Sequence, residues 1–464
     1  MLNVALNVVK SSTTPDATTF NESAVNLFYR GDYIEAARQL QWALVLDPEY
    51  DEAWHNRAMI LNALRDPFDA ILCCDKAIEI NPYNAIYHNT RGVCLSALGL
   101  FADAMVSYEE SLLHNPDLSS AWHNRGYVAK LLNRMEDAVT YHRMATHKHP
   151  GNPTYHMALA AALLAVGELE DGWLEYEYRF KVLNSNHRQI PLPKWRGHDI
   201  KGLILCAEQG YGDTIQFLRY GPILKQLYPN MQVYVEVKKP LLQLARTMEG
   251  IDGVVLYGDP LPSDATHYLP MMSAPIYAGT HTIDDIPSES YLRVRDSGKP
   301  AIQVGKRSYN VGICWSAGTR PNQPELQDIA ERKSIALRFL QPLADIENVR
   351  WFNLQVPSPA EKPFPMEDYE IHDFYDTACL ISSLDLVVTV DTSVAHLAGA
   401  IGANTILMTP RDNCWRWFDD RLASPWYPSL RQYRQPVSGD WASVIAKVKE
   451  LITVMARPNQ VAAE

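Results

Sequence analysis

The chain has little that would suit a membrane, a nucleic acid or an oxidising compartment. No run approaches the roughly 18 apolar residues that a bilayer-spanning helix needs. Cationic residues are in deficit: 42 Lys and Arg against 54 Asp and Glu give a formal charge of −12. Phosphate backbones are bound by clustered Lys and Arg, so this balance argues against nucleic acid as the main partner. Cysteine is sparse, seven in 464 residues, and no two stand in a Cys-x-x-Cys or other metal-ligating spacing. An odd number without a pairing pattern reads as reduced thiols, with the adjacent Cys73 and Cys74 as packing residues in a helix. The start, Met1 to Lys10, has no basic stretch ahead of its apolar residues and no clear cleavage site. These absences predict a cytoplasmic protein with no integral membrane segment.

What is present is a soluble, globular composition, 47% hydrophobic and 21% charged, in a chain long enough for several domains. Residues 11–20 are polar and read as a flexible lead-in. A period then sets in. Pro48, Pro82, Pro116 and Pro150 stand 34 residues apart, preceded by Asp, Asn, Asn and His. Ten positions after each comes a small residue: Ala58, Gly92, Gly126 and Ala160. A second small set, Ala70, Ala104, Ala138 and Gly172, keeps the same spacing. Counting back one period places Ala24 and Ala36 in an earlier repeat. Small residues at fixed offsets let two helices cross closely, and proline ends the second of them.

This pattern resembles the tetratricopeptide repeat, and about five repeats fit between Phe20 and Phe180. Such arrays stack into a superhelix whose groove binds extended peptides. Asn56 and Asn124 share one position in the first helix of their repeats, with Thr90 between them. Facing the groove, an Asn amide can both donate to and accept from a peptide backbone. The arrangement is similar to the asparagine ladder of O-GlcNAc transferase, which makes both residues candidate acceptor-binding groups. The alternative is that they are solvated or bonded between repeats. His55 and His123, beside them, read as surface residues.

Beyond the repeats the periodicity changes. Asn184 to Gly202 is rich in proline and basic residues and reads as a linker. Leu203–Cys206, Gln232–Val237 and Val254–Tyr257 are short apolar strands; the first is followed by the loop Ala207–Thr214 and a helical pattern through Leu227, the second by a helix over Leu241–Met248. The alternation predicts a doubly wound parallel sheet. It restarts at Tyr309–Trp315, continues with Arg350–Gln355, a helix over Thr377–Ser383 and strands at Leu386–Val390 and Thr405–Met408, and closes on a helix over Ala442–Met455. In such sheets ligands bind at the carboxyl ends of the strands.

Two loops at those ends carry candidate chemistry. After the first strand, Gln209-Gly210-Tyr-Gly-Asp213 lacks the third glycine of a dinucleotide fingerprint. Its glycines would let a substrate approach the backbone and place Asp213 at the mouth of a cleft, as a base for an attacking hydroxyl. The alternative role for Asp213 is to cap the following helix; Glu208 is a reserve carboxylate. After Leu386–Val390 come Asp391-Thr392-Ser393, good helix caps, and then a helix through Ala400. A strand turning directly into a capped helix aims free N–H groups and a positive dipole end at one spot, a natural seat for a diphosphate. Arg332-Lys333-Ser334 reads as the run ahead of a helix and offers a cation, or else a solvated helix start. Trp415, Trp417, Trp426 and Tyr427 read as interdomain packing rather than base-stacking platforms.

Both loops resemble the signature loops of the lipopolysaccharide heptosyltransferase family, over roughly residues 200–455. That resemblance implies a GT-B architecture of two Rossmann-like halves and inverting sugar transfer. It implies Asp213 as catalytic base, with Gln209 and Gly210 on the acceptor side. It implies Lys333 as the cation on the donor diphosphate, and Asp391, Thr392, Ser393 and His396 as donor-binding residues. The family usually has glycine where this chain has Ser393. No Asp-x-Asp motif occurs, in keeping with a site without metal; the nucleotide-sugar is a co-substrate and no cofactor is implied.

The expected architecture is a flexible lead-in over 1–19, tetratricopeptide repeats over 20–183, and a GT-B domain with its acceptor half at 184–305 and donor half at 306–464. Its plan is similar to O-GlcNAc transferase and to repeat-containing flagellin glycosyltransferases. The expected partners are a nucleotide-sugar and a polypeptide held by the repeats. The alternatives are transfer to a glycan or lipopolysaccharide, and a peptide-binding scaffold without chemistry.

Overall fold

The computed structural model describes residues 15–182, 190–294, 308–318, 324–419 and 421–457. The chain divides into two compact units, 1–158 and 159–464. In the first, helices pair in sequence: α1 (Ala17–Tyr29) with α2 (Tyr33–Leu46), and α3 (Asp51–Ala63) with α4 (Pro67–Ile80). Then α5 (Ala85–Ala97) pairs with α6 (Phe101–His114), and α7 (Ser119–Leu131) with α8 (Met135–Lys148). α9 (Pro153–Val166) carries the chain across the division, and α10 (Leu169–Tyr176) lies in the second unit. α1 starts inside the expected lead-in because Asp16 caps it, accepting from the Thr19 N–H at 2.8 Å.

Three periodic devices build the repeat. Each pair turns on one left-handed residue: Gly31, Arg65, Gly99 and Asn133, with φ of 81°, 64°, 76° and 60°. Arg65 and Asn133 take that conformation at a cost of about 1 kcal/mol, since each carries a Cβ. The small residues make room for rings of the partner helix. A Cβ on Gly92 would lie 2.5 Å from the Tyr108 ring, and one on Gly126 2.7 Å from the His142 ring. Each proline carbonyl takes a hydrogen bond from a ring nitrogen six residues on: Trp54 to Pro48, His88 to Pro82, Trp122 to Pro116 and His156 to Pro150, at 2.8–2.9 Å.

Polar side chains bridge successive repeats. The amide of Asn56 donates to Asn21 at 2.8 Å, and that of Asn124 to Asn89 at 3.1 Å. His55 is buried rather than on the surface: its Nε2 meets the Thr90 hydroxyl at 2.9 Å and its ring stacks on Tyr87. The next repeat covers it, which a single repeat does not reveal.

The second unit holds two parallel sheets. The first has the order β3-β2-β1-β4. Its elements are β1 (Gly202–Cys206), α11 (Tyr211–Leu218), α12 (Tyr220–Leu227), β2 (Gln232–Val237), α13 (Leu242–Ala245), β3 (Gly253–Leu256), β4 (His267–Pro270) and α14 (Ala274–Tyr277). The second has the order β6-β5-β7-β8-β9. Its first elements are β5 (Tyr309–Cys314), α15 (Pro324–Lys333), α16 (Leu337–Leu340), β6 (Val349–Asn353) and α17 (Phe374–Ser382). β7 (Leu386–Val390), α18 (Ser393–Ile401), β8 (Thr405–Thr409), β9 (Leu430–Arg434) and α19 (Trp441–Met455) complete it. β1, β7 and β8 are buried along their whole length, as apolar central strands should be. α19 lays Val444, Ile445, Val448 and Ile452 in one core with Val388, Val390, Ile406 and Met408.

Several expectations need correction. The helix expected after Thr214 and through Leu227 starts earlier, at Tyr211, and breaks at Arg219, whose buried guanidinium donates to the carbonyls of Pro287 and Trp426. Ile190–Gly202 is not a free linker: Trp195 is fully buried and its N–H donates to Tyr268 at 2.8 Å. Residues 184–189 of that stretch lie outside the described residues. α10 is integral to the second unit. Trp173 sits among Phe217, Trp415 and Trp426, and its indole N–H donates to the Thr280 carbonyl.

Candidate functional site

The loops after β1 and β7 meet. A Cβ on Gly212 would lie 2.9 Å from the His396 ring and 3.4 Å from the Ser393 Cα, so glycine is what lets the starts of α11 and α18 touch. Asp213, in the first turn of α11, accepts from the Gly210 N–H at 2.9 Å, the helix-terminus role. Its other oxygen takes the Arg416 guanidinium at 2.5 Å. Gln209 donates to the Tyr176 hydroxyl at 3.0 Å, bringing α10 to the same loop. Glu208 is not in reserve for chemistry. It is clamped by Arg179 at 2.8 Å and accepts from the Met272 N–H.

Across the seam, Asp391 forms an ion pair with Lys333 at 2.5 Å. Burial would raise the Asp391 carboxyl, but the charges of Lys333 and His396 hold it down at about 2. Lys333 is raised in turn, because Asp391 outweighs its desolvation. Arg332 and Lys333 close α15, and Ser334 follows in the short connection ahead of α16, so Lys333 reaches the site from a helix C-terminus. Thr392 is the cap of α18, accepting from the Val394 N–H at 3.3 Å. His396 is buried between Trp417, stacked at 5.0 Å, and the Tyr427 hydroxyl at 3.0 Å from Nδ1. Burial lowers it to about 4, so it is neutral near pH 7, although both Asp213 and Asp391 pull it upward.

Thus Asp213, Asp391, Lys333, Ser393 and His396 converge on one seam, with Gly210 and Gln209 on its first wall. Asn56 and Asn124 belong to the repeat unit, where their amides serve neighbouring repeats. Arg416, Gln216, Cys414 and Tyr176 are also at the seam and carried no signal in sequence. Arg416 donates to Gln216 at 3.0 Å and to Cys414 at 3.1 Å, and its guanidinium lies 4.3 Å over Trp415. Burial opposes its charge; Asp213 and Cys414 push its pKa up. The seam aromatics Trp415, Trp417, Trp426 and Tyr427 are buried, packed against each other and α10.

The tetratricopeptide repeat family profile matches residues 22–85. The helix pairs are tetratricopeptide repeats. Over 440 residues the chain is 27% identical to Protein FlbA of Caulobacter vibrioides, covering 86% of this chain and 72% of that one. Among solved structures, a tetratricopeptide protein of Thermus thermophilus is 19% identical with a TM-score of 0.34, over 37% of this chain and 93% of its own. PilF of Pseudomonas aeruginosa is 19% identical with a TM-score of 0.35, over 46% of this chain and 92% of its own. No helix among the described residues is long and apolar enough to cross a membrane.

Proposed function

We propose that the second unit is an inverting glycosyltransferase of GT-B plan, using a nucleotide-sugar and acting on a polypeptide delivered by the repeats. The observation that carries this reading is the meeting of the loops after β1 and β7, with Gly212 against His396 and both Asp213 and Asp391 close enough to act on its charge. Two parallel sheets whose carboxyl-end loops face one seam give a site for a dinucleotide-like donor.

In this reaction the acceptor hydroxyl gives its proton to Asp213 while its oxygen bonds to the anomeric carbon. The bond from that carbon to the diphosphate breaks, and its electron pair leaves with the nucleotide. Lys333 and the start of α18 receive the developing charge. Tetratricopeptide repeats are protein-binding modules, which favours a polypeptide acceptor over a free glycan and also supports a second reading, a scaffold without turnover.

Incubating the full chain with nucleotide-sugars and candidate proteins should move sugar to a polypeptide. Asp213→Asn should lower turnover by about 10²–10⁴-fold with donor binding retained. Sugar appearing only on glycan would reject the polypeptide acceptor. Turnover unchanged in Asp213→Asn would remove that residue as base.

A further inference from the structure

Arg416 is a cation with an unusual set of partners. It is buried, yet Asp213 is its one ion-pair partner among the described residues, with Nη2 2.5 Å from Oδ1. From behind it is fixed by Gln216 on Nε, Cys414 on Nη1, and the Trp415 ring beneath. A guanidinium fork suits two oxygens of a phosphate better than one oxygen of a carboxylate. Gln216 is itself fully buried, and among the described residues its Nε2 has no acceptor. A second donor thus stands beside Arg416. Lys333 and Arg416 also repel one another, and both feel the Cys414 sulfur. Two neighbouring cations, each tied to a carboxylate of the protein, form a pair that a doubly charged anion can take over.

Resting on the glycosyltransferase reading, we infer that Arg416 is a ligand of the donor diphosphate held in reserve by Asp213, and that its capture by the diphosphate frees Asp213 to face the acceptor hydroxyl. In the structure Asp213 Oδ1 is turned to the guanidinium and Oδ2 to the Gly210 N–H. The exchange frees Oδ1 while Gly210 keeps the carboxylate oriented. Donor binding therefore precedes acceptor activation.

The test is calorimetric titration of the full-length protein with ADP, CDP, GDP, UDP and inorganic pyrophosphate. The variants are Arg416→Gln, Arg416→Lys, Asp213→Asn and the double variant Asp213→Asn/Arg416→Lys, each checked for folding by thermal unfolding. For the diphosphate that binds wild type, Arg416→Gln should weaken binding by about tenfold or more, and Arg416→Lys by less because the charge but not the fork survives. Asp213→Asn should tighten binding several-fold by removing the competing carboxylate, and the double variant should show none of that gain. Should Arg416→Gln not fold, Arg416→Lys and Asp213→Asn decide. Unchanged affinity in Asp213→Asn, or a gain that persists in the double variant, overturns the exchange and leaves the diphosphate site standing. Failure of wild type to bind any of the five ligands overturns the site and the exchange together.

Discussion

In the repeat unit a buried polar side chain finds its partner one period away; in the α/β unit the partner stands as far as 207 residues away. Asn56 with Asn21, Asn124 with Asn89 and His55 with Thr90 are each separated by 35 positions. Arg416 and Gln216 are separated by 200, and Arg219 and Trp426 by 207. A stacked array can satisfy its interior only with its neighbours, so its polar groups are repeated and structural. The parallel sheets instead bring distant loops to one seam, and there charge accumulates that packing does not require. This contrast sets the repeats apart as a stacked array and the seam as the place where charged side chains from distant loops gather.

The contrast is broken most severely where the two patterns overlap, in α10. By sequence period this helix belongs to the repeats, but Trp173 is 1% exposed and wedged among Phe217, Trp415 and Trp426. Trp173→Ala should cost about 4 kcal/mol through the cavity and the lost Thr280 bond. Peptide-resolved hydrogen exchange on the full chain should show β1 and β8 losing protection while α1 to α4 keep theirs. Loss confined to the repeat helices would return α10 to the array and undo the division drawn at residue 158.

What could be read from sequence follows the same divide. Residues that recur with the period, such as Ala58 and Gly92, announce the repeats because every copy faces the same crossing. The left-handed turn recurs as strictly, but Arg65 and Asn133 hide it, since a backbone requirement met at modest cost leaves no fixed residue type. Central strands such as Leu386–Val390 are buried on both faces and read as apolar runs. β4 and β9 escaped because they are edge strands, His-Tyr-Leu-Pro and Leu-Arg-Gln-Tyr-Arg, whose polar residues face outward or pair beyond the sheet. Asp213 and Asp391 were visible because each follows a recognisable strand. Arg416 was not, because a single arginine among tryptophans has no spacing to betray a partner so distant in sequence.

Acid should sharpen the comparison. Burial lowers His55 to about 4 and His142 to about 3, whereas the unfolded chain keeps the ordinary value near 6.5. Below pH 6.5 the unfolded state therefore binds more protons, and stability falls as pH drops toward the folded values. Each of the two should withdraw about 2 kcal/mol between pH 7.5 and pH 5. In the α/β unit His396 acts in the same direction, but Asp391, held near 2, keeps its contribution until the pH falls below 3.8. Hydrogen exchange at pH 5 should accordingly find α7 and α8 opening ahead of β7 and α18. The reverse order would mean that the seam, not the array, carries the larger acid-sensitive load.

The smallest effect separates a structural asparagine from a ligand-binding one. Asn56 donates to Asn21, and Asn21 donates on to the Tyr50 hydroxyl at 3.2 Å. Asn56→Ala leaves the buried Asn21 carbonyl oxygen without that donor and should cost about 1 kcal/mol. Chemical unfolding of Asn21→Ala, Asn56→Ala and the double variant should show a coupling of roughly 0.5 kcal/mol or more, since the two side chains touch. A groove residue that served only a bound polypeptide would behave otherwise. Its loss would weaken polypeptide capture at unchanged stability, and the cycle with Asn21 would be additive. Coupling between positions 35 apart is therefore the property that makes the array's polar interior a device for stacking, leaving recognition to side chains that no neighbouring repeat has claimed.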